Sequence, residues 1–310
     1  MRAAFIRALS RAAEKDSRIM LITGDLGYRY LEPFAEKFPD RYLNIGVAEA
    51  NLVTVAAGLA TTGFIPFVYS IATFASMRAF EQIRNDVSLQ NLNVKIVGIG
   101  AGFAYTKAGP THHSVEDIAL IRTLPNITVI APVDTNQAYS ATIAAAKHRG
   151  PVYLRLGRNP ESGVFAKPPP FTIGKGTVIS GGKDMAILAT GTTVGLAHEI
   201  AGKISGVVKS PTIAVFPSIV PLDHALLRTL VRGHRIWVTV EEHRQSGGFG
   251  TAVGEWLLTQ TGKIPRLVKA GARDAHSQLS AEHKELMKEA GLTTGDVARR
   301  IRATLRSQRR

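Results

Sequence analysis

Residues 44–51 read Asn44-Ile45-Gly46-Val47-Ala48-Glu49-Ala50-Asn51, which places one carboxylate among small and apolar side chains. A helix is predicted to follow directly, over residues 50–62. An ionised Glu49 in these surroundings is costly unless a basic group lies beside it. The ordinary alternative is a capping or solvated glutamate at the start of that helix. The segments around this stretch decide between the two.

Short apolar runs alternate with helical patterns on both sides of this stretch, which is typical of a parallel α/β sheet. The predicted strands are residues 18–22, 65–69, 94–98, 127–130 and 152–156. The predicted helices are residues 50–62, 77–89, 115–122 and 135–148, and Asp134 is a good N-cap for the last. The first half of the chain is therefore expected to form one α/β domain.

The clearest boundary is Lys167-Pro168-Pro169-Pro170, because three consecutive prolines make a stiff extended linker. A second α/β pattern follows, with predicted strands at 185–189, 212–215, 236–240 and 266–268 and helices at 194–205, 224–231, 251–261 and 295–305. The sequence thus predicts two three-layer α/β domains, the second with a mostly parallel sheet. The expected boundaries are 1–166 for the first domain, 167–176 for the linker and 177–310 for the second domain.

The composition is ordinary for a globular protein, with 45% hydrophobic and 20% charged residues in a chain of 310. The chain has no cysteine, which excludes disulfides, thiolate catalysis and cysteine-ligated metals. No apolar stretch reaches the roughly 18 residues that a membrane span needs. The first residues form an amphipathic pattern that is a poor signal peptide, so a cytoplasmic location is expected.

The net charge of +14, with a pI near 10.2, favours anionic ligands such as sugar phosphates or an acidic partner chain. Nucleic-acid binding is disfavoured, because only 7% of residues are aromatic and no basic-aromatic motif is present. Part of the excess charge stands at the end of the chain, where a solvated basic tail is the preferred interpretation. The residues of this tail are Arg299, Arg300, Arg302, Arg306, Arg309 and Arg310.

A glycine-rich segment and a pair of histidines could suggest dinucleotide binding and metal binding, but neither interpretation is favoured. Gly98-Ile99-Gly100-Ala101-Gly102 follows a predicted strand, but Phe103 stands where a dinucleotide-binding glycine would be, so an active-site loop is the better reading. His112 and His113 have no third ligand at helical spacing, and adjacent side chains point in different directions. We therefore expect no metal site made by this chain alone.

Three segments in order resemble the pyrimidine-binding part of transketolase and related thiamine-diphosphate enzymes. They are Gly46-Val47-Ala48-Glu49, the run from Ala72 to Gln82, and Gly109-Pro110-Thr111-His112-His113-Ser114. The resemblance covers residues 19–159 and continues, to about residue 302, as a transketolase C-terminal domain. It implies that thiamine diphosphate is the cofactor, with Glu49 bound to the pyrimidine nitrogen N1′ and Phe74 packed on the pyrimidine ring.

Further residues take expected roles from the same resemblance. Asp25, in the opening Gly24-Asp25-Leu26-Gly27 of the domain, and Arg78 are expected at the cofactor. His112 is expected to face the substrate near its reactive carbon, where an imidazole with a near-neutral pKa can donate and accept protons. His113, where many transketolases have glutamine, is expected beside the substrate as well.

An arginine that holds the substrate phosphate is expected at Arg158, in the segment Leu154-Arg155-Leu156-Gly157-Arg158-Asn159. Arg29 and Lys107 are expected to assist it. Without the resemblance, Arg155 and Arg158 could equally be surface arginines. Ala108 stands where many transketolases have an acidic residue, and Gly100 where they have a histidine. These two departures put ordinary pentose-phosphate substrates in doubt.

The diphosphate-binding part of a transketolase is missing, since no Gly-Asp-Gly motif occurs in the chain. The resemblance therefore implies the C-terminal subunit of a split transketolase, whose N-terminal subunit binds the diphosphate and Mg²⁺ in an α2β2 heterotetramer. Such a pair would transfer a two-carbon ketol unit from a ketose, expected to be phosphorylated, to an aldehyde.

Two alternatives to this function remain open from the sequence. One is the beta subunit of a 2-oxoacid dehydrogenase decarboxylase component, which has the same domain order and a catalytic glutamate. The other is a noncatalytic basic binding protein. The segment Glu241-Glu242-His243, followed by Gly247-Gly248-Phe249-Gly250, looks catalytic but resembles a structural or interface segment of the C-terminal domain.

Overall fold

The computed structural model describes residues 1–158, 163–208 and 210–306. They form two α/β units, each built on its own sheet. The strands are β1 (Ile19–Thr23), β2 (Tyr42–Asn44), β3 (Ile65–Ile71), β4 (Lys95–Ile99), β5 (Thr128–Ile130), β6 (Val152–Leu156), β7 (Thr177–Ser180), β8 (Asp184–Ala189), β9 (Thr212–Val215), β10 (Ser218–Val220), β11 (His234–Arg244) and β12 (Arg266–Ala272). The helices are α1 (Arg2–Ala13), α2 (Glu32–Lys37), α3 (Glu49–Thr61), α4 (Phe80–Gln82), α5 (Asp117–Ile121), α6 (Thr135–Lys147), α7 (Val194–Lys203), α8 (His224–Gly233), α9 (Phe249–Leu258), α10 (His283–Glu289) and α11 (Thr294–Arg306).

The first sheet has seven strands in the order β10-β5-β6-β4-β3-β1-β2. All its pairs are parallel except β10 with β5, where Ser218 pairs with Ile130. Strands β1, β4 and β6 are buried along their whole length, as expected for parallel strands covered by helices on both faces. Strand β10 lies after the triple proline in sequence, so the second half of the chain supplies one edge of the first sheet.

The second sheet has five strands in the order β12-β11-β8-β9-β7. Three of its pairs are parallel, and only β7 runs antiparallel, against β9. The predicted fold class of two α/β domains, the second with a mostly parallel sheet, is therefore confirmed. Among the described residues, no helix is long and apolar enough to span a membrane.

The predicted elements agree with the structure where the hydrophobic pattern is long. The predicted helix over residues 77–89 is instead a π-helical turn at Phe74–Arg78, the short α4, and a second π-helical segment at Ile83–Ser88. Three strands and two helices were not predicted: β2, β7, β10, α2 and α10. Each of these is short, and β2 and β7 carry no buried apolar run that would identify them.

A buried arginine joins the two halves of the molecule. Arg155, at 3% exposure, donates from Nε to Asp117 Oδ2 (2.7 Å) and from Nη2 to the carbonyl oxygens of Ser114 (2.8 Å) and Glu242 (3.0 Å). The interpretation of Arg155 as a surface residue is therefore wrong. Because Ser114 follows the His112–His113 pair, this contact also fixes the loop that carries both histidines.

The segment Glu241-Glu242-His243 lies at the same junction and is buried. Glu241 accepts from the backbone N–H groups of Phe249 and Gly250, both at 2.7 Å, and so caps the start of α9. His243 Nε2 lies 3.2 Å from the N–H of Ala119 and accepts from it. These contacts give the segment a structural role between the two halves of the chain.

The basic residues near the end of the chain belong to α11, which packs on the second sheet. Arg300 is half-buried and donates to the carbonyl oxygens of Lys269 (3.0 Å) and Gly291 (3.1 Å). The expectation of a solvated tail is therefore wrong for Arg300, whose guanidinium completes backbone hydrogen bonding. Arg309 and Arg310 lie outside the described residues.

Candidate active site

Glu49 is the first residue of α3 and is 1% exposed. Its Oε1 accepts from the hydroxyl of Ser70 at 3.0 Å, and its Oε2 accepts from Nη1 of Arg78 at 2.6 Å. The basic neighbour that a buried carboxylate requires is thus present within the chain. The capping or solvated interpretation of Glu49 does not describe this carboxylate.

Ser70 was missed by sequence reasoning. It lies near the end of β3, a strand in which the other side chains are apolar apart from the phenol of Tyr69. It is fully buried, and its hydroxyl donates a hydrogen bond to Glu49. A lone hydroxyl near the carboxyl end of a buried parallel strand was the available signal, because ligands bind outside that end of such sheets.

The π-helical turn after β3 brings Phe74 and Arg78 to the same place. The Arg78 guanidinium carbon lies 4.3 Å from the centre of the Phe74 ring while Nη1 donates to Glu49. π-helical turns widen the helix and are frequent at functional sites. Arg78 therefore lies between the flat apolar ring of Phe74 and the buried carboxylate of Glu49, and these groups form the floor of the candidate site.

His112 joins this group from the loop after β4. Its ring lies edge-on to Phe74 with centroids 5.0 Å apart, and its Nδ1 is 3.0 Å from the hydroxyl of Thr111. Burial, and then the charge of Arg78, lower the pKa of His112 below its ordinary value of 6.5. The imidazole is therefore neutral at neutral pH and able to accept a proton.

His113 points the other way. It is 4% exposed, its ring packs edge-on against Phe103 at 5.3 Å, and its Nδ1 has no hydrogen-bond partner among the described residues. It lines a cavity of about 420 Å³ between the two halves of the chain, together with Arg244 and Arg273. His112 and His113 thus face different spaces, as expected for adjacent residues in a loop.

Arg158 reaches the group through Tyr105, a loop residue that sequence reasoning did not select. The Arg158 guanidinium carbon lies 4.6 Å from the centre of the Tyr105 ring, and that ring lies 5.8 Å from His112. Burial raises the pKa of Tyr105, and the positive charges of Arg158 and Arg2 oppose the rise. Arg2, at the start of α1, is the second cation near this loop, because the neighbouring Met1 Sδ accepts from the N–H of Gly157 at 3.2 Å.

Arg2 itself is anchored on Tyr30. Its Nη2 donates to the Tyr30 hydroxyl at 3.1 Å, and its guanidinium carbon lies 4.0 Å from the centre of that ring. Helix α1 thus brings a cation to the edge of the site from the far end of the sequence. Only long-range packing reveals this position, so no motif in the sequence pointed to Arg2.

The remaining candidates lie around or away from the group. Asp25 is on the rim, where Asn44 Nδ2 (2.9 Å) and the Tyr28 hydroxyl (2.8 Å) donate to its carboxylate and lower its pKa. Arg29 lines a surface hollow beside α1 and α2. Lys107 forms an exposed ion pair with Glu282 at 2.9 Å.

The structure therefore brings Glu49, Phe74, Arg78 and His112 into contact and links them to Arg158 through Tyr105. His113 lines the cavity between the two halves, Arg29 lines a surface hollow, and Lys107 forms an exposed ion pair. Within the described ranges, no group of three or more histidine, aspartate or glutamate side chains is arranged to hold a metal ion.

The chain is thus a two-domain α/β protein whose first domain holds a buried carboxylate beside an arginine, a phenylalanine and a histidine. The chain belongs to the transketolase family: the transketolase pyrimidine-binding domain matches residues 1–160, and the transketolase C-terminal domain matches residues 174–297.

The chain is similar over nearly its full length to relatives of about the same size. It is 36% identical to a putative transketolase C-terminal section of Methanocaldococcus jannaschii, over 99% of this chain and 97% of the relative. It is 35% identical to the 6-deoxy-6-sulfo-D-fructose transketolase subunit SqwH of Clostridium sp. (strain MSTE9), over 96% and 92%. A solved structure of a split-gene transketolase, described as an inactive beta4 tetramer, matches with 38% identity and a TM-score of 0.89 over 97% of both chains.

The residues of the site fit the pyrimidine end of such a cofactor. The Arg78 guanidinium is a flat group with N–H donors, and it lies on Phe74 while donating to Glu49. An aminopyrimidine is likewise flat and hydrogen-bonding, so the same floor suits it. The buried carboxylate is the partner that a ring nitrogen carrying a proton requires.

Proposed function

We propose that this chain is the C-terminal subunit of a split, thiamine-diphosphate-dependent transketolase. With a separate N-terminal subunit it transfers a two-carbon ketol unit from a ketose with an anionic end to an aldehyde. The observation that carries the proposal is the buried Glu49, held by Ser70 and Arg78 beside the face of Phe74. Two relatives that match over more than nine-tenths of their length, a putative transketolase C-terminal section and a transketolase subunit, support it.

In this proposal the cofactor, when bound, supplies the carbon chemistry of the transfer. Glu49 binds N1′ of the pyrimidine and holds or releases the proton there. Phe74 packs on the ring, which takes the place of the Arg78 guanidinium there and at Glu49. Ser70 keeps the carboxylate of Glu49 in place, and Arg78 and Asp25 stand beside the cofactor. Each of these residues acts by position and charge, which is how a protein assists a cofactor that carries the reaction.

His112 takes the role of proton donor and acceptor at a substrate oxygen. Its lowered pKa leaves a neutral imidazole at neutral pH, which can accept a proton from a hydroxyl and return it. Its contact with Phe74 puts it next to the proposed cofactor position. Thr111, 3.0 Å from Nδ1, supports one orientation of the ring.

The anionic end of the ketose is proposed to lie at Arg158, with Arg2 as the second cation. The contact of Arg158 with the Tyr105 ring supports this position, and the positive charges of both arginines lower the pKa of the Tyr105 phenol. A guanidinium suits phosphate or sulfonate because its planar fork donates two charge-assisted hydrogen bonds. Arg29 lines a separate surface hollow and Lys107 is paired with Glu282, so neither residue is included in the proposed anion site. The Clostridium relative is named for a sulfonated ketose, which agrees with an anionic substrate.

The partner is proposed to be an N-terminal transketolase subunit that binds the diphosphate and Mg²⁺, with two copies of each chain in the complex. The sequence lacks the Gly-Asp-Gly motif for this task. The solved relative of similar size is described as an inactive beta4 tetramer, which agrees with a need for the second subunit.

The test is to assay this chain alone and together with a transketolase N-terminal subunit encoded beside it. Thiamine diphosphate and Mg²⁺ are supplied in excess, and ketol transfer is followed on a panel of ketoses. We expect transfer only by the pair, and robust turnover by the chain alone would overturn the split-enzyme proposal. Absence of transfer by a pair that co-purifies would argue for a noncatalytic role instead.

A further inference from the structure

Gly100 and Tyr105 occupy one space between them. Gly100 has a φ of +84°, and a Cβ built on it would lie 2.0 Å from Cε2 of the Tyr105 ring. No side chain at position 100 is compatible with the ring in this place. The glycine therefore makes room for the Tyr105 ring, which fills the space that a residue-100 side chain would take.

The ring stands between the two ends of the proposed substrate site. On one side it contacts His112, and on the other it carries the Arg158 guanidinium at 4.6 Å. Its hydroxyl makes no hydrogen bond with any residue in the described ranges. A donor without a protein partner, next to two guanidinium groups, is available to a ligand.

The charge around this phenol is of one sign. Residues 98–115, which form the loop from the end of β4 through the two histidines, contain no aspartate or glutamate. Ala108 is one of these uncharged positions, and Lys107 is next to it. An anion that approaches Tyr105 thus meets the cations Arg158 and Arg2 without an opposing carboxylate from this loop.

From this geometry we propose that Tyr105 binds the substrate directly and is a specificity-determining residue of the site. Its hydroxyl donates a hydrogen bond to the terminal oxyanion of the ketose, phosphate or sulfonate, beside Arg158 and Arg2. Gly100 is the residue that permits this position of the ring. The inference rests on the proposed function, since it takes His112 and Arg158 as the two ends of the substrate.

The test uses the complex of both subunits and measures binding of three ligands by calorimetry. These are fructose 6-phosphate, 6-deoxy-6-sulfofructose and unmodified fructose. Tyr105→Phe removes only the hydroxyl and keeps the ring on Gly100 and under Arg158. We expect about tenfold or more weaker binding of the two anionic ketoses and unchanged binding of fructose, because a hydrogen bond to a charged group is lost. A selective loss on phosphate or on sulfonate identifies which oxyanion the hydroxyl recognises.

A second measurement separates binding from a general structural effect. In steady-state transfer, Tyr105→Phe should raise KM for an anionic ketose about tenfold while kcat stays within about twofold. Equal losses on fructose and on the anionic ketoses, unchanged binding of all three, or failure of the wild-type complex to prefer the anionic ketoses would each overturn the proposal. Binding as expected without any transfer would leave Tyr105 in its role and reject the proposed activity.

The pairing of Gly100 with Tyr105 is tested by a double-mutant cycle. Gly100→Ala adds a methyl group that displaces the ring, and it also strains the backbone at positive φ. The strain is the same in a Tyr105→Ala background, but no ring remains there to be displaced. We expect Gly100→Ala to weaken binding of fructose 6-phosphate about tenfold in the wild-type background and less than about twofold in Tyr105→Ala. Equal effects in the two backgrounds would show that Gly100 does not act through Tyr105.

Discussion

Arg78 and Glu49 are joined by a hydrogen bond of 2.6 Å between Nη1 and Oε2, and the same guanidinium lies on the ring of Phe74. The pair links a half-exposed cation to a carboxylate that is 1% exposed. Ser70 takes the other oxygen, so both carboxylate oxygens have partners. These partners stabilise the carboxylate of Glu49, which would be unstable as an unpaired charge in the protein interior.

Replacing Glu49 with glutamine should abolish ketol transfer by the assembled pair while folding and assembly are retained. The amide can occupy the same space but cannot hold and release a proton at the pyrimidine, and general acid–base effects are usually about a hundredfold or more. The measurement is kcat with saturating thiamine diphosphate, alongside size-exclusion chromatography of the complex. Glu81→Gln, an exposed glutamate of α4, is the matched control and should keep full activity. More than about a tenth of the wild-type rate in Glu49→Gln would remove Glu49 from this role.

Replacing Arg158 with alanine should reduce kcat/KM about tenfold or more for a phosphorylated ketose only. The lost contact is a charge-assisted hydrogen bond, worth roughly 1.5–3 kcal/mol. Kinetics on phosphorylated and unphosphorylated forms of one ketose measure the selectivity. Arg2→Ala should act in the same direction. Arg29→Ala, which removes a cation from a different surface hollow, is the control and should leave the selectivity unchanged. Equal losses on both substrates would make Arg158 a structural residue.

The buried ion pair of Asp117 and Arg155 should contribute strongly to stability. Asp117→Asn leaves the buried Arg155 without its counter-charge, and breaking such a pair costs about 3–5 kcal/mol. Asp184→Asn breaks the pair with Arg235, whose two side chains are about two-thirds exposed, and should cost less than about 1 kcal/mol. Chemical denaturation at neutral pH compares the two variants. Similar losses in both would contradict the burial argument.

The stability that His243 itself contributes should fall between pH 6.5 and pH 4. Burial lowers the pKa of His243 to about 4 from its ordinary 6.5, and in the folded chain the neutral ring accepts the N–H of Ala119. The unfolded chain binds a proton in this window and the folded chain does not, so this stability is complete above pH 6.5 and decreases as the pH falls. The expected loss of this contribution between pH 7.5 and pH 5 is about 2 kcal/mol. Burial raises the pKa of Glu241 to about 7, which acts in the opposite direction in the same range, so the His243 effect is measured as a difference between two proteins.

His243→Gln provides the comparison for this pH effect. Glutamine can accept from Ala119 but does not titrate, so its stability should depend less on pH by about the same 2 kcal/mol. Glu241, Asp117 and Arg155 surround His243 and are present in both proteins, so their own titrations largely cancel in the difference. Parallel pH profiles of the two proteins, from denaturant midpoints at matched pH values, would show that His243 is not the responsible group.

The sequence predicted the elements that depend on local pattern. The strand at residues 152–156 was placed to the residue, and Asp134 caps α6 by accepting from the N–H of Gln137, as expected. The contribution of β10 to the first sheet could not be predicted, because three residues carry too little pattern to show which sheet they join.

Some residues of the candidate site could likewise be predicted from the sequence, and others could not. The sequence predicted Glu49, Phe74 and His112 through motifs whose residues lie close together along the chain. In the structure, Arg78 connects Glu49 to Phe74, and Phe74 contacts His112. The sequence did not identify Ser70 or Tyr105, because neither belongs to a motif that was recognised. It indicated that the adjacent His112 and His113 point in different directions, but not that His112 packs on Phe74 and His113 on Phe103, since these contacts depend on tertiary packing.

By itself, the sequence determined the α/β architecture and the single carboxylate at the start of α3, because hydrophobic periodicity and short motifs are local properties of the chain. The tertiary structure alone decided which charges stand together. It buried Arg155 against Asp117 and brought Arg2 to the same phenol as Arg158, although these two arginines are near opposite ends of the first domain. Charge pairing acts through space over a few ångströms, so it is fixed by packing between distant segments and cannot be read from neighbouring residues.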